Sequence, residues 1–355
     1  MGKGIIMHMA DSLLSPVVGS TMCAVGAAAI AFSVAKIKKD DLCEKKVPII
    51  GVMGAFVFAA QMINFTIPAT GSSGHIGGGI LLAAMLGAYP ALLAVSAVLI
   101  IQCLFFADGG LLALGCNIFN LGVIPCLLIY PLIYKPLLKN GITKRRITIA
   151  SIAAVVVSLQ IGAFGVVLQT LLSGITGLPF GTFVLLMQPI HLAIGIVEGI
   201  VTAAVLCFVY KMRPEIMESS SERIVINSAV PMGNVLIALA VITVIVGGGL
   251  SLFVSSHPDG LEWSIEKITG TTELETEYHL MEGAAAIQGK TAFMPDYDFR
   301  SAGEEGGYAQ HSGVIGTSLA GIAGGAITFT LVGLAVLLIS IFKRKQKNRA
   351  AVSIQ

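Results

Sequence analysis

The chain has 355 residues, of which 55% are hydrophobic and only 12% are charged, and its formal net charge is +2. About a quarter of the residues in an ordinary soluble domain are charged, so this composition excludes that class. Apolar runs long enough to cross a bilayer recur along the chain, which predicts an all-α polytopic membrane protein. We predict nine spans, at residues 13–36, 48–67, 76–88, 90–107, 114–134, 147–173, 183–210, 229–254 and 314–342.

The segment before the first span carries the first candidate site. Met7 and His8 stand directly ahead of the apolar run. If translation starts at Met7, a free amine, the amide nitrogen of His8 and a ring nitrogen of His8 can close fused chelate rings around one metal ion. Nitrogen ligands in a planar array suit Ni(II) or Cu(II), and also Co(II). Residues 1–6 would destroy this arrangement if they stayed attached, because the amine would become an amide.

A second candidate histidine, His75, lies among glycines where span two returns into the short span three. Glycines let the backbone turn tightly and let other groups come close. Gln61, Asn64 and Ser73 stand beside this loop. They could hold the ligand rings by hydrogen bonds, or Gln61 and Asn64 could instead bond between helices. Span three is too short for a straight crossing and predicts a broken helix that lines a cavity.

Polar residues elsewhere in the spans offer weaker candidates. His191 and Glu198 are seven residues apart and therefore share one face of span seven. Ionisable residues inside a membrane are functional candidates, but we favour a structural role, in which they pair with each other or bind neighbouring backbone. Asp108, Asn117 and Asn120 precede or begin span five, and we expect them to shape the mouth of a cavity or to cap helices.

The basic residues predict the topology. Nearly all of them follow spans one, five, seven and nine, which lie on one side if nine spans alternate, whereas the other side holds only Lys3, Lys267, Lys290 and Arg300. The positive-inside rule then places the N-terminus outside and the C-terminus in the cytoplasm of a bacterial or archaeal cell. His8 and His75 both fall on the outer side, so one can supply a ligand that the other lacks.

The composition also predicts the domains. Residues 1–6 form an extension, residues 7–210 a membrane domain, residues 211–228 a polar cytoplasmic linker, and residues 229–355 a two-span appendage with an acidic outer loop at 255–312. That loop could attract cations through its field, or it could simply be solvated. Its histidines, His257, His279 and His311, are expected to be exposed.

No catalytic constellation is present, since the sequence has no HExxH motif, no Walker A loop and no nucleophile elbow. The cysteines do not form a disulfide framework or a CxxC site. An enzyme is therefore not expected. Uphill transport by this chain would need energy from a partner or from an ion gradient.

Four stretches together resemble the CbiM/NikM family, the substrate-capturing membrane components of energy-coupling factor transporters for cobalt and nickel. They are MHMADSLLSPVVG at 7–19, GAFVFAAQMINFTIPATGSSGHIGGG at 54–79, FFADGGLLALGCNIFNLG at 105–122 and HLAIGIVEGIVTAAV at 191–205. The tail, with PDGLE at 258–262 and GTSLAG at 316–321, resembles the small accessory protein CbiN/NikN, fused here.

The resemblance implies a seven-helix bundle with a two-helix appendage. It also implies that Met7 supplies an amine, that His8 supplies an amide nitrogen and its ring, and that His75 completes the planar site. It implies a CbiQ/NikQ-like transmembrane coupling protein and a CbiO/NikO-like cytoplasmic ATPase as partners, with the lipid bilayer around the chain and no nucleic acid. Because the ligating methionine of the family is terminal, we hypothesise that physiological initiation occurs at Met7.

The function predicted from these observations is capture of Ni(II) or Co(II) on the outer side for ATP-driven uptake, with the ion as the transported substrate and no permanently bound cofactor. The alternative is a membrane metal sensor or assembly protein that uses the acidic loop as a docking surface. An intramembrane enzyme lacks a nucleophile and base. Ligand type suits both metals, and the planar geometry with an ionised amide favours nickel.

Overall fold

The computed structural model describes residues 8–37, 47–218, 231–272, 274, 279–299 and 314–352. The helices of the N-terminal unit are α1 (Pro16–Lys36), α2 (Val47–Gln61), α3 (Gly79–Leu86), α4 (Ala88–Phe106), α5 (Leu114–Leu138), α6 (Lys144–Ser173), α7 (Phe180–Met212) and α8 (Pro214–Glu218). Those of the C-terminal unit are α9 (Met232–Val244), α10 (Gly260–Thr269), α11 (His279–Thr291) and α12 (Val314–Val352).

The helices confirm an all-α polytopic membrane protein. By length and hydropathy α1, α4, α5, α6, α7 and residues Gly316–Ile339 of α12 can each cross a bilayer, and Pro48–Gln61 and Gly233–Gly249 are shorter apolar helices. Large apolar side chains point outward from them, including Leu172 and Leu185, which are 74% and 71% exposed. Such a surface would be costly in water but is matched by lipid.

Local signals explain where helices begin. Proline occupies the first position of α1, where its missing N–H costs nothing, and Ser15 Oγ accepts a hydrogen bond from the N–H of Val18 over 3.4 Å. Thr143 Oγ1 accepts similarly from the N–H of Arg146, over 3.3 Å, at the start of α6.

Helix α5 widens into π-helical turns over Phe119–Tyr134, a stretch that contains Pro125 and Pro131. Proline removes a backbone donor and clashes with the preceding turn of an α-helix, and a π segment absorbs this misfit. Gly79, the first residue of α3, packs directly on Pro125, where a Cβ atom would collide with the proline ring. The short α3 therefore starts deep inside the bundle, as a broken helix should.

Span two ends earlier than its predicted end at residue 67. Helix α2 stops at Gln61, and strands β1 (Phe65–Ile67) and β2 (Ser72–Gly74) form an antiparallel hairpin in which Phe65 pairs with Gly74. The apolar character of Phe65 and Ile67 made this segment resemble a span, but Pro68 and Gly71 require a turn. The hairpin returns the chain to α3 and places His75 at its end.

The C-terminal unit packs along α2 through small residues. Gly54 of α2 lies against Thr328 and Val332 of α12. Gly247, in the turns that continue α9, lies against the backbone of Gly321, close enough that a Cβ atom there would be 3.2 Å from its carbonyl oxygen. Small residues allow such close helix contacts in membranes, where packing replaces the hydrophobic effect.

In its described residues the acidic loop is folded and packed against the rest of the chain, not simply solvated. Its described part contains α10 and α11, and Leu261, Ser264, Gln288 and Tyr297 within it are buried. Asp259 caps α10 in a capping box with Glu262, and Gly270 ends that helix in the left-handed conformation. His257 is exposed as expected, His279 begins α11, and His311 lies outside the described residues.

The first part of the predicted linker at 211–228 is largely helical. Its first residues continue α7 and form α8, whose Ile216 and Met217 are buried against the bundle. The rest of the predicted linker, from residue 219, and the extension 1–6 lie outside the described residues.

Candidate metal centre

The backbone beside His8 is fixed by one asparagine. The N–H of Met9 donates to Asn117 Oδ1 over 3.1 Å, and Asn117 Nδ2 donates back to the carbonyl oxygen of Met9 over 3.2 Å. The N–H of Gly110 donates to the same carbonyl over 3.0 Å. These bonds hold the N-terminal segment against the turn that precedes α5, so His8 is positioned by its neighbours and not by a helix.

Two glycines in that turn make the close approach possible. Gly109 has a φ of 76°, and a Cβ atom on it would lie 2.8 Å from His8 Cβ. A Cβ atom on Gly110 would collide with the carboxylate of Asp11. Gly109 is needed for its left-handed conformation and both glycines are needed for the close contact. The turn at 107–110, with the sequence ADGG, is therefore the surface on which the N-terminal segment packs, and we call it the seat of His8.

Glu198 holds the loop that carries His75. Glu198 is 3% exposed, and its two carboxyl oxygens accept hydrogen bonds from the N–H groups of Gly77 and Gly78 over 3.0 and 2.9 Å. Gln61 Nε2 donates to the carbonyl of Gly77 over 2.9 Å. These bonds satisfy the loop's backbone groups inside the bundle, where an unpaired group would be costly.

The rings of His8 and His75 meet, with centroids 5.4 Å apart and planes inclined by 55°. His8 is 4% exposed. Its Nδ1 lies 2.9 Å from Asp108 Oδ2, yet the two atoms are not aligned as a hydrogen bond. Among the described residues neither ring nitrogen of His8 has a hydrogen-bond partner. Buried polar atoms are normally paired, so the ring is free to accept another ligand.

The rings border a cavity of about 100 Å³. It extends from His8 and His75 into the bundle, and its other lining residues include Asn117, Asn120, Ser158, His191, Glu198 and Asp259. In the part of the chain that the structure describes, no three His, Cys, Asp or Glu side chains are grouped to hold a metal.

The C-terminal unit forms part of the cavity wall beside the hairpin. The N–H of Ser73 donates to the carbonyl of Pro258 over 2.8 Å, and Ser73 Oγ donates to the carbonyl of His257 over 2.8 Å. Gly260 packs on the ring of His191, where a Cβ atom would lie 3.0 Å from Cε1. The PDGLE sequence thus sits on the hairpin and forms one wall of the site.

Asp259 is the acidic group of that wall and is 6% exposed. Burial raises the pKa of its carboxyl to about 7, while hydrogen bonds from the N–H groups of Glu262 and Leu261 act in the opposite direction. The nearby charges also act on this pKa, with His8 lowering it and Asp108 raising it.

The predicted site residues are distributed as follows. His8, His75, His191 and Glu198 line one cavity, and Gln61 and Ser73 hold the backbone beside it. His191 Nδ1 lies 2.8 Å from the carbonyl oxygen of Met187, within its own helix. Asn64 is buried, and the N–H of Ser255 donates to its carbonyl over 2.8 Å. Met7 lies outside the described residues.

The sequence did not predict three features of the site. They are the contact of Asp108 with His8, the position of Asp259 in the cavity wall and the burial of Tyr297 beside Asp108. The capping box formed by Asp259 and Glu262 was a readable signal for the start of a helix. No local signal indicated that this helix would cover a site near the other end of the sequence.

The comparisons with known proteins agree with this architecture. Residues 8–216 match the family model CbiM, described as the cobalt uptake substrate-specific transmembrane region, and residues 233–341 match the PDGLE domain. A relative from Haloquadratum walsbyi, provisionally named a metal transport protein, is 34% identical over 61% of this chain and 95% of its own length. A relative from Archaeoglobus fulgidus, provisionally named a fused nickel transport protein NikMN, is 32% identical over 61% of this chain and 69% of its own.

A solved structure described as a truncated transition metal transporter is also similar. It has a TM-score of 0.51 and 29% identity, and the match covers 58% of this chain and 99% of the other. The family match spans more than half of the chain and contains His8, His75 and His191, the three histidines that line the cavity. The chain therefore belongs to the CbiM family and carries a PDGLE domain fused at its C-terminal end.

Proposed function

We propose that this protein is the substrate-binding membrane subunit of an energy-coupling factor importer for Ni(II) or Co(II). The observation that carries the proposal is the pair of histidine rings 5.4 Å apart beside a cavity, with no hydrogen bond to either ring nitrogen of the buried His8 among the described residues. Imidazole is a good ligand for divalent nickel and related ions. The family membership and the transport names of the relatives support the same role.

The proposed ligands are the amine of Met7, the amide nitrogen and ring of His8, and the ring of His75. In such a chelate only Nδ1 of His8 can close a six-membered ring with the amide nitrogen of the same residue. His75 then supplies the fourth nitrogen from across the cavity. The described side chains do not supply a set of three ligands, which supports the use of backbone nitrogens. The amide must lose its proton, so binding releases protons and weakens in acid.

The polar residues beside the ligands have supporting roles in this proposal. Glu198 and Gln61 hold the His75 loop through its backbone, and Ser73 joins the same loop to the PDGLE sequence. Outer groups of this kind orient metal ligands and raise affinity. His191 and Asn64 shape the cavity, and their part in ligand orientation stays a prediction.

The chain has no nucleotide-binding motif, so ATP hydrolysis is proposed to occur on a cytoplasmic ATPase that acts through a transmembrane coupling protein. The basic residues support an orientation with the N-terminus outside and the C-terminus in the cytoplasm. The metal then enters from the outside, at the end of the bundle where His8 and His75 meet. Planar nitrogen ligation with an ionised amide favours nickel over cobalt as substrate.

Uptake of radioactive nickel tests the function. Cells without their own nickel importer would express the chain with its coupling protein and ATPases, or the chain alone. We expect ATP-dependent uptake that is lost in His75→Ala and kept in His257→Ala, a matched change at an exposed histidine of the same end. Metal binding by the purified chain without any uptake in the complete complex would favour the sensor or assembly role instead.

The N-terminal ligand needs a separate test. Two forms of the chain, one beginning at Met1 and one at Met7, would be purified and loaded with Ni(II), and their N-termini would be read by mass spectrometry. We expect tight binding only where Met7 is terminal. Equal binding by a form that keeps residues 1–6 would refute the amine ligand and leave the histidines to be tested on their own.

A further inference from the structure

The C-terminal unit is hydrogen-bonded to the turn that carries Asp108. Gln288 Nε2, from α11, donates to the carbonyl of Gly109 over 2.8 Å and to that of Cys103 over 3.1 Å. The N–H of Phe293 donates to the carbonyl of Phe105 over 3.1 Å. The segment after α11 is therefore fixed to the end of α4, directly beside the seat of His8.

Tyr297 is the largest side chain that this segment buries. Its side chain is 1% exposed and stacks on Phe106, with ring centroids 5.0 Å apart and planes inclined by 20°. Phe58 packs edge-on against it at 6.4 Å. Asp296 and Tyr297 both have positive φ values, 52° and 60°, a conformation that non-glycine residues adopt only when the surroundings enforce it. The fold thus places one hydroxyl group at a defined point.

That hydroxyl donates to Asp108 Oδ2 over 2.6 Å. The same oxygen lies 2.9 Å from His8 Nδ1 without being aligned to it as a hydrogen bond. Nδ1 is the atom that a chelate with the backbone of His8 requires. A carboxylate oxygen free to rotate would settle on the Nδ1–H direction and compete with a metal ion for that nitrogen.

We infer that Tyr297 is a positioning residue of the metal site, which holds Asp108 Oδ2 off the axis of His8 Nδ1 and so keeps this nitrogen available to the metal. The carboxylate remains next to the site, where its charge favours a divalent cation. This inference rests on the proposed function and assigns the C-terminal unit a specific part in it. The role belongs to the hydroxyl group and not to the packing of the aromatic ring.

Tyr297→Phe isolates the hydroxyl because it keeps the buried ring. Ni(II) binding would be measured by calorimetry in lipid nanodiscs on the otherwise full-length chain that begins at Met7, the form expected to bind tightly. We expect affinity to fall about ten- to a hundredfold, the usual loss when a group that orients a metal ligand is removed. Tyr210→Phe is the matched control, since the Tyr210 hydroxyl donates to the carbonyl of Ile142 at the far end of α7. Equal affinity in Tyr297→Phe and the parent chain would overturn the inference.

A double-mutant cycle separates this role from general loosening of the fold. If Tyr297 acts by restraining Asp108, then Tyr297→Phe should change Ni(II) affinity by less than about twofold once Asp108→Ala is present, because coupled residues are not additive. Independent, additive losses in the cycle would contradict the inference. Asp108→Asn gives a second background should the alanine variant fail to fold.

A readout without metal distinguishes failure of the inference from failure of the proposed function. In the metal-free chain with ¹⁵N-labelled histidine, Tyr297→Phe should shift the Nδ1 resonance of His8 as Asp108 turns onto it, whereas Tyr210→Phe should not. An unchanged resonance would overturn the inference even in a chain that binds Ni(II). A parent chain that binds no Ni(II) but shows the shift would keep the contact and refute the transport site.

Discussion

Removing the carboxylate of Glu198 is expected to release the His75 loop and weaken metal binding without changing either proposed ligand ring. Glu198→Ala leaves the N–H groups of Gly77 and Gly78 buried without their acceptors. An unsatisfied buried donor costs about 1–3 kcal/mol, so the two together cost about 2–6 kcal/mol in the present loop conformation. The loop will move to recover part of this energy.

A loop that relaxes away from its present position no longer presents His75 to His8. Since 1.4 kcal/mol corresponds to a factor of ten in an equilibrium constant, even the lower bound predicts a loss of at least about tenfold in Ni(II) affinity. Glu198→Gln keeps one acceptor oxygen and turns an NH₂ group toward the second donor. Its affinity should lie between those of the parent and of Glu198→Ala.

The assay combines calorimetric titration of Ni(II) with hydrogen exchange at residues 74–79, in nanodiscs, on the otherwise full-length chain that begins at Met7. Faster exchange at Gly77 and Gly78 should accompany the lost affinity. Gln188→Ala is the matched control, because Gln188 lies on the same helix and its Nε2 donates to the carbonyl of Gln160 on α6, over 3.3 Å. Parent-like affinity and exchange in Glu198→Ala would refute the reasoning that Glu198 shapes the site.

Three further changes test other parts of the structure. Gly110→Ala should displace the N-terminal segment, because its Cβ collides with Asp11, and should lower Ni(II) affinity in calorimetry. Trp263→Phe removes a hydrogen bond of 3.0 Å from Nε1 to the hairpin loop and should destabilise the docked PDGLE segment by about 1 kcal/mol, seen as faster hydrogen exchange there. Because burial raises the pKa of Asp259 to about 7, the free energy of unfolding should fall as pH rises from about 4 through 7. Asp259→Asn should remove this contribution to the pH dependence, measured by thermal unfolding at a series of pH values.

Each of these has a result that would contradict it. Gly283→Ala, on an exposed helical glycine with open space around it, is the control for Gly110→Ala, and equal effects of the two would remove the argument from close approach. Unchanged exchange in Trp263→Phe would mean that the hydrogen bond does not hold the segment. A parent protein and an Asp259→Asn variant with parallel pH profiles would show that this carboxyl does not titrate as its burial requires.

The membrane helices could be predicted from composition because each is a long apolar run, and the structure places a helix within every one of the predicted spans it describes. The distribution of basic residues put His8 and His75 on the same side before any contact between them was known. The start of the hairpin could not be separated from span two by hydropathy, since its first strand, Phe65–Ile67, is apolar enough to extend the run.

The groups around the histidines were beyond sequence reasoning because they depend on contacts between distant segments. Tyr297 is 189 positions from Asp108, and Trp263 is 193 positions from the hairpin carbonyl that it contacts. An acidic loop read residue by residue looks solvated. The described part of the loop folds because a minority of apolar residues, such as Leu261 and Tyr297, pack against the N-terminal unit.

The most direct test of the account is the coordination of Ni(II) in a purified chain that begins at Met7, measured by metal analysis and X-ray absorption spectroscopy. The account predicts one Ni(II) per chain with four nitrogen ligands in a plane, loss of that signature in His8→Ala and His75→Ala, and its retention in His257→Ala. Nickel bound mainly by oxygen or sulfur would contradict the account, and so would equal binding in His8→Ala or His75→Ala.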